Sequence, residues 1–490
     1  MVSWRSKIGV STDGKFYLRL SSYMYLREGI LTMRKLTFII MIMVMVVMAF
    51  PAMAQDDDLS LPDFVDYTEC EVDLTGGDVT IYHIGDLSGA YAAITLPLVA
   101  GLNDALNYFN ARGGVCGATL SQSAFDTGGD PNRTAEGYEQ VHAQDPDVIV
   151  LYSSADSELL RPTVADDEVP IIISAGSLPG LYGENGNEPG WVFATNPLYA
   201  DQFATFCDYI GANPDLYPDP VIGYMGWGGP VAAFGLAAFT PEAIAHCEEA
   251  GVEVLPQAQT FLPIADSTSV STLVETHIND GASIIYVNAL ASGPVRVAEA
   301  IELIGFSEEL VLGSVNWGLD TSAMLLSADS LRASDGLPVV DGMIGSMPFA
   351  WYSDDLPGIA LLLEQAAENG RGIETINISY ILGWTLADTY LEMYTIAANN
   401  VAAEQGLEDG TAILNAINGA IIKDTILSMD FDPLGLYNFS YPGGEIRALP
   451  NNRIVQMVFE SAEITGPPTL VELTEFAPAP DTRLRLFDDE

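Results

Sequence analysis

The sequence predicts an α/β protein with two doubly wound parallel sheets that follow each other along the chain. In residues 78–177, short runs of aliphatic and β-branched residues alternate with stretches of helical pattern, and the same alternation returns in residues 220–318. Runs that are apolar on both faces are typical of strands buried in a parallel sheet, and the alternation places helices on both faces of each sheet. The chain has 490 residues, which is long enough for two such units.

The clearest β-α-β unit spans residues 147–177. Its two strands end in small hydroxyl residues, first at Ser153 and Ser154 and then at Ser174 and Ser177. The stretch between them has helical character, and an early Asp or Ser can cap its first turn. Ligands of open α/β sheets bind at the carboxyl ends of strands, where hydroxyls, backbone N–H groups and a helix N-terminus suit a carboxylate or another polar head group. The alternative is that these Ser and Gly residues only form turns.

The other elements follow in order. The first half contains strands at 78–84 and 118–125 and helices at 96–112 and 132–144, which makes four strands with the unit above. The second half contains the strands 220–226, 252–255, 283–287 and 310–313 and the helices 230–250, 269–280 and 295–304. Two long helices, at 351–370 and 377–400, come last.

The two ends of the chain read as non-core segments. Arg34 and Lys35 precede an apolar run that ends in Ala52-Met53-Ala54, which is the layout of a secretory signal cleaved after Ala54. Residues 1–32 precede a plausible start at Met33. Residues 55–76 read as an acidic leader and residues 467–490 as an acidic, Pro-rich tail. The predicted location is periplasmic or extracellular, with no membrane insertion after cleavage.

The charge is strongly negative. The whole chain has a formal net charge of −49, and the first 54 residues hold seven of the 18 Lys and Arg but two of the 67 Asp and Glu. The exported part therefore carries 11 basic and 65 acidic residues, a net of −54. Such a surface repels nucleic acid and anionic lipid. It fits a halophilic protein, because concentrated salt screens the repulsion between its negative charges. An acidic medium, which protonates some carboxylates, is a less specific explanation.

Four cysteines remain after export. An even number of scattered Cys in an exported protein suggests disulfides, and three pairings are possible. The pairing Cys70–Cys116 with Cys207–Cys247 joins neighbouring elements and is favoured here. Four buried free thiols are the alternative.

Catalytic and cofactor patterns are weak. Asp126 and Asp130 read as turn and helix caps rather than as a carboxylate pair, and the four His have no partner at metal-ligand spacing. Ser153 has no His or Lys partner in its sequence context, although triads are spatial. No phosphate loop, dinucleotide fingerprint or zinc pattern is present, so we expect no cofactor and no metal.

An ordered series of short motifs runs along residues 78–460. Its members are Asp-Leu-Ser-Gly at 86–89, Asn-Ala-Arg-Gly-Gly-Val at 110–115, Phe125-Asp126, Asp130-Pro131, Phe193-Ala194-Thr195 before Asp201-Gln202, Asp341-Gly342, Phe431-Asp432-Pro433 and Arg447. Each motif is weak alone, but the ordered series resembles the periplasmic branched-chain amino-acid (Leu/Ile/Val-type) substrate-binding proteins of ABC transporters.

The resemblance implies two lobes joined by three crossovers, which close on a ligand by hinge motion. Lobe 1 takes residues 77–197 and 342–425, and lobe 2 takes residues 198–341 together with closing strands at 426–466. The crossovers are expected near Thr195–Leu198, Asp341 and Thr425.

The resemblance also implies the binding residues. The matching positions, which in the family hold the ligand's carboxylate and side chain, are Tyr152, Ser153, Ser154, Ala175 and Ser177. We expect Tyr91, or a neighbour up to Ile94, to cover the same pocket. Trp227, Leu290 and Trp317 lie at strand ends of lobe 2, where cleft contact and core packing are equal alternatives. Amino-acid receptors of the family hold the ammonium with an acid, whereas the matching position here is Asn316, with Asp320 the nearest acid. Asn316 suits an amide or a neutral polar head.

Three functions are compatible with these residues. The first is a non-enzymatic solute receptor that delivers a small amino acid, amide or carboxylate to the permease subunits of an ABC importer. The second is a sensory binding protein of the same fold. The third is a hydrolase of small amides in the cleft.

Overall fold

The computed structural model describes residues 60–483. The predicted signal segment and its cleavage site lie outside the described residues. No helix within residues 60–483 combines the length and the apolar character that crossing a bilayer requires.

The first lobe is built on a five-stranded parallel sheet with strand order β2-β1-β3-β4-β5. The strands are fully apolar where the sheet is deepest, as in Ile149–Leu151 against Ile171–Ile173. The fifth strand adds one to the four that the sequence analysis proposed. Strands and helices alternate as β1 (Asp78–Gly85), α1 (Ala92–Ala111), β2 (Thr119–Asp126), α2 (Pro131–His142), β3 (Ile149–Leu151), α3 (Ser154–Asp166), β4 (Ile171–Ile173), α4 (Leu178–Tyr182) and β5 (Val192–Ala194).

The second lobe is built on an eight-stranded sheet. Its strand order is β15 (Thr469–Glu472), β14 (Ile454–Val458), β11 (Ile344–Ser346), β10 (Val311–Ser314), β9 (Ile284–Asn288), β6 (Val221–Trp227) and β7 (Glu253–Val254), and β8 (Gln259–Phe261) also pairs with β6. The pairings are parallel except those of β14, which runs antiparallel to both of its neighbours. Its elements up to β11 are α5 (Tyr199–Ala212), β6 (Val221–Trp227), α6 (Ala232–Gly235), α7 (Pro241–Glu249), β7 (Glu253–Val254), β8 (Gln259–Phe261), α8 (Ser267–Asn279), β9 (Ile284–Asn288), α9 (Ser292–Ile304), β10 (Val311–Ser314), α10 (Thr321–Leu326) and β11 (Ile344–Ser346).

The long helices return to the first lobe. Most of the 28-residue α12 is buried, which is typical of a helix inside a core, and it packs on α1. The two backbones approach so closely that a Cβ on Gly383 would lie 2.3 Å from the carbonyl oxygen of Leu98. The closing elements are α11 (Pro357–Glu368), α12 (Ile378–Gln405), α13 (Gly410–Ala416), α14 (Gly419–Ser428), β12 (Asp430–Phe431), β13 (Phe439–Ser440), β14 (Ile454–Val458) and β15 (Thr469–Glu472).

The chain passes between the sheets in three places. The first passage, between β5 and α5, includes the expected residues 195–198. The second follows β11, because Ile344–Ser346 pairs with β10 and β14 in the second sheet; this is beyond the expected position at Asp341. The third lies between β12 and β14, after the expected position at Thr425, and there Arg447 forms a parallel bridge with Ala194.

The acidic leader and the Pro-rich tail were interpreted as lying outside the core, but tertiary contacts attach both of them to the two lobes. In the leader, the Tyr67 hydroxyl donates to Asp388 at 2.7 Å and the Thr68 hydroxyl to Glu392 at 2.5 Å. In the tail, β15 extends the second sheet and the Thr482 hydroxyl donates to Asp201 at 2.9 Å. Both segments are therefore part of the packed structure.

The helix proposed at 230–250 is broken in two. Its first piece ends at Gly235, and a new helix starts at Pro241 with Thr240 as N-cap, whose hydroxyl accepts a hydrogen bond from the N–H of Ala243 at 3.2 Å. Thr followed by Pro is a helix-start signal that the sequence analysis did not use.

The favoured disulfide pairing is confirmed. Cys70 is bonded to Cys116 and Cys207 to Cys247. The first bond ties the leader to the loop before β2, and the second joins α5 to α7.

Candidate functional site

A cavity of about 640 Å³ lies between the two lobes. It opens where strands of both sheets end, and each lobe supplies one wall. The first lobe contributes Asp86, Gly89, Ala90, Tyr91, Gly128, Gly129, Pro131, Ser153, Ala155 and Asp156, and the second contributes Trp227, Pro230, Val231, Leu262, Pro263, Ile264 and Ser292.

The turn after β1 is organised by Asp86. Its buried carboxylate accepts hydrogen bonds from the backbone N–H groups of Ser88, Gly89 and Tyr91. Three donors compensate a carboxylate well, so its charge is tolerated inside the turn. The same bonds place the ring of Tyr91 against the second lobe, with its centroid 6.4 Å from that of Trp227.

The N-terminus of α3 forms the rest of the first wall. Ser153 is the N-cap but makes no side-chain cap bond, which leaves its hydroxyl toward the cleft. Asp156, in the first turn, is 8% exposed and accepts a hydrogen bond from the Thr134 hydroxyl at 2.7 Å. Burial raises the pKa of Asp156 to about 6; the Thr134 bond opposes this shift, and the charge of Asp86 adds to it.

The second wall is mostly apolar. Trp227 ends β6, and the loop of Leu262, Pro263 and Ile264 follows β8, so neighbouring strands place them side by side. Ile264 is 90% exposed, and such a side chain at a cavity mouth is available to cover an apolar ligand.

A second, inner cavity of about 10 Å³ adjoins the first and shares Tyr91 and Ser153 with it. This volume is about that of one water probe. Aromatic rings fill the space: the Phe234 centroid lies 5.0 Å from that of Tyr199, and the Trp317 indole N–H donates to the Tyr199 hydroxyl at 3.1 Å. The full lining is Tyr91, Ile94, Tyr152, Ser153, Ser154, Tyr199, Phe234, Leu290 and Trp317.

Tyr152 is held from behind by His83. The two side chains are hydrogen-bonded at 2.8 Å through Nδ1 of His83, whose Nε2 lies 2.8 Å from Gln122. Burial lowers the pKa of His83 to about 4, so the imidazole is neutral near pH 7. A neutral ring with both nitrogens engaged fixes the orientation of Tyr152.

Seven of the ten residues assigned by sequence line one of the two cavities, and three do not. Ala175 is buried. Ser177 is the N-cap of α4, accepting from the N–H of Gly180 at 3.3 Å and donating to Glu158 at 2.5 Å. Asn316 is fully buried, and both polar atoms of its amide lack a hydrogen-bond partner among the described residues.

Sequence reasoning missed Asp156, Phe234, Tyr199 and the loop 262–264. From the sequence, Asp156 was considered only as a cap of the first helical turn, whereas the structure places it in the cleft wall with Ser153. Phe234 was assigned to the first turns of one long helix at 230–250, so the break after Gly235 that positions it was not anticipated. The loop carried no recognisable signal, because an apolar triplet between a strand and a helix is common.

A sequence-family model described as "Periplasmic binding protein" matches residues 78–430. No curated protein matches the chain in a sequence search.

Solved structures give the same fold. A branched-chain amino-acid ABC transporter protein from Thermus thermophilus with bound valine has a TM-score of 0.66 at 15% identity, covering 84% of this chain and 99% of its own. A fatty-acid ABC transporter substrate-binding protein from Thermomonospora curvata has a TM-score of 0.62 at 18% identity, with 87% and 97% covered. A solute-binding protein from Rhodopseudomonas palustris BisB5 in complex with 3,4-dihydroxybenzoic acid has a TM-score of 0.60 at 12% identity, with 82% and 98% covered.

The family match extends over most of the chain and includes both walls of the cleft. The chain belongs to the periplasmic binding protein family.

Proposed function

We propose that this protein is an extracytoplasmic solute receptor that captures a small amphipathic ligand between its lobes and delivers it to the permease subunits of an ABC importer. The observation that carries the proposal is the cavity of about 640 Å³, to which both lobes contribute side chains. A cavity of this size accommodates a small organic ligand. A ligand that contacts both walls stabilises the closed arrangement over the open one, which is how binding is coupled to hinge motion.

The two walls suggest a division of roles. The serines, the glycine backbone and the acids of the first lobe bind the polar head, and the apolar second wall binds the body of the ligand. The structural neighbours support a ligand with both a polar head and an apolar body, because proteins of this fold are described with valine, fatty acids and dihydroxybenzoic acid. We therefore infer binding without turnover as the function of this cleft.

The proposed location also follows from the sequence. The segment up to Ala54 has the layout of an export signal, and the acidic surface fits a salt-rich exterior. Two disulfides are compatible with an oxidising compartment.

Native mass spectrometry of gently purified protein tests the proposal. We expect a co-purifying small molecule that is lost from the Trp227→Ala variant and retained by Leu216→Ala, which removes an exposed leucine that does not line the cleft. Retention of the same molecule by both variants would place the binding site outside the cleft and contradict the proposal.

A further inference from the structure

The cavity lining is acidic. It contains the carboxylates of Asp86 and Asp156 and no Lys, Arg or His. Inside a cleft with low-dielectric walls, such a charge distribution attracts cations and repels carboxylates.

The two acids differ in what compensates them. Asp86 accepts three backbone hydrogen bonds, whereas among the described residues the Thr134 hydroxyl alone donates to the Asp156 carboxylate. Burial raises the pKa of Asp156 and the neighbouring Asp86 raises it further, and no cationic side chain among the described residues lowers it. A buried carboxylate without a counter-charge is costly, so a positive group placed beside Asp156 would remove this cost.

The remaining surface suits the rest of an organic cation. Tyr91 and Trp227 contribute aromatic rings that attract positive charge on their faces. Pro230, Val231 and the loop 262–264 supply apolar area for an alkyl or aryl body.

Arg133 is a cation close to this cavity, because a Cβ on the lining residue Gly128 would lie 3.6 Å from its Nη1, and it could attract an anion instead. It is exposed, its guanidinium lies 5.8 Å from the centroid of Phe125, and it lowers the pKa of Asp126 after the hydrogen bonds that Asp126 accepts. It is absent from the lining, and an exposed cation already near a carboxylate is weakly attractive in salt.

From these observations we propose that the cleft is selective for an organic cation, an amine or quaternary ammonium with an apolar body, and that Asp156 binds its positive charge. The proposal rests on the proposed function, because it names the ligand class of the same cleft. It reverses the sequence expectation that the first lobe holds a carboxylate.

Calorimetric titration of the full chain at about pH 8, above the pKa of Asp156, tests the charge preference. The probes are butylamine and butyltrimethylammonium, with pentanol and pentanoate as neutral and anionic counterparts. We expect the two cations to bind, pentanol to bind more weakly and pentanoate not to bind. Asp156→Asn keeps the acceptor for Thr134 and should weaken cation binding by at least about tenfold, since a charge-assisted bond is lost. Asp166→Asn, an exposed residue at the other end of α3, is the matched control and should change nothing.

The outcomes separate the two proposals. Any of three results would overturn the cation assignment. Pentanoate could bind as tightly as the cations, the cations could fail to bind up to millimolar concentration, or Asp156→Asn could leave the cation affinity unchanged. If a probe binds and Trp227→Ala abolishes its binding, the cleft remains the ligand site whatever the charge of that probe. If Trp227→Ala leaves the binding of every probe unchanged, the proposed function fails as well.

Discussion

Two groups of buried acids in this protein are treated in opposite ways. At the passage between the lobes, Arg447 is fully buried and pairs with Asp201 at 2.8 Å, with Glu445 at 2.6 Å and with Asp481. In the cleft, Asp86 and Asp156 are buried without any such cation. The Arg447 cluster therefore contains its own counter-charge, whereas no cationic side chain is among the described residues that line the cleft beside these two acids.

The comparison extends to neutral polar groups. Ser177 is satisfied by Gly180 and Glu158, whereas the buried amide of Asn316 has no partner among the described residues. Groups with complete partners are expected to contribute to stability, and groups without them to cost stability until a ligand or water arrives.

The largest expected effect is at Arg447. Arg447→Ala leaves the fully buried Asp201 without its cation, while Asp481 keeps its pair with Arg483, and we expect a loss of about 3–5 kcal/mol in the free energy of unfolding. Arg296→Ala is the control, because its pair with Glu299 is partly exposed and is worth at most about 1 kcal/mol. Urea denaturation of both variants measures the difference. Equal losses would mean that burial of the Arg447 cluster carries no special weight.

The opposite sign is expected at Asp156. Its pKa is raised to about 6 in the folded state, so the stabilisation it gives is complete below its unfolded pKa and is lost as pH rises through 6. Without ligand, Asp156→Asn should therefore stabilise the protein at about pH 8 by about 1–3 kcal/mol and leave stability unchanged below about pH 4. Thermal unfolding of the wild type and of Asp156→Asn between about pH 4 and pH 8 measures this change in stability. A destabilised variant at high pH would show that the carboxylate is compensated after all.

A smaller effect is expected at Ser177. Ser177→Ala removes an N-cap and should cost about 0.5–2 kcal/mol in stability without changing ligand affinity. Ser154→Ala, whose hydroxyl lines the inner cavity, should show the reverse pattern. Thermal midpoints and calorimetric affinities of the two variants decide between these patterns. Weaker binding with Ser177→Ala at unchanged stability would restore the contact role that the resemblance implied.

The smallest effect concerns salt. The chain has a formal net charge of −49, so salt should raise the thermal midpoint of the wild type and of Asp156→Asn alike. The difference in the free energy of unfolding between the two proteins should change with salt by less than about 0.5 kcal/mol, because salt screens buried charges much less than surface charges. A thermal series from low to molar salt records both quantities. Midpoints that stay flat would remove the halophilic interpretation, and a difference that collapses would place Asp156 at the surface.

The sequence predicted the first wall better than the second for a physical reason. Strands 149–151 and 171–173 are apolar on both faces, so their ends, and the serines that follow, could be located from pattern alone. The second wall depends on the break near Gly235, where the backbone packs closely against that of Trp227, and on the loop 262–264, which has no sequence pattern of its own. Asn316 was identified because one position departed from the resembling family. The lack of a counter-charge at Asp156 could not be read from sequence, because it is a property of everything packed around it.

A crystal structure of the full chain with its co-purifying ligand tests the central claim most directly. The account predicts density between the lobes, in contact with Asp156 on one wall and Trp227 on the other. Density in the separate second-lobe cavity of about 250 Å³ lined by Tyr217, Arg332 and Gln456, with the cleft unaltered, would contradict it.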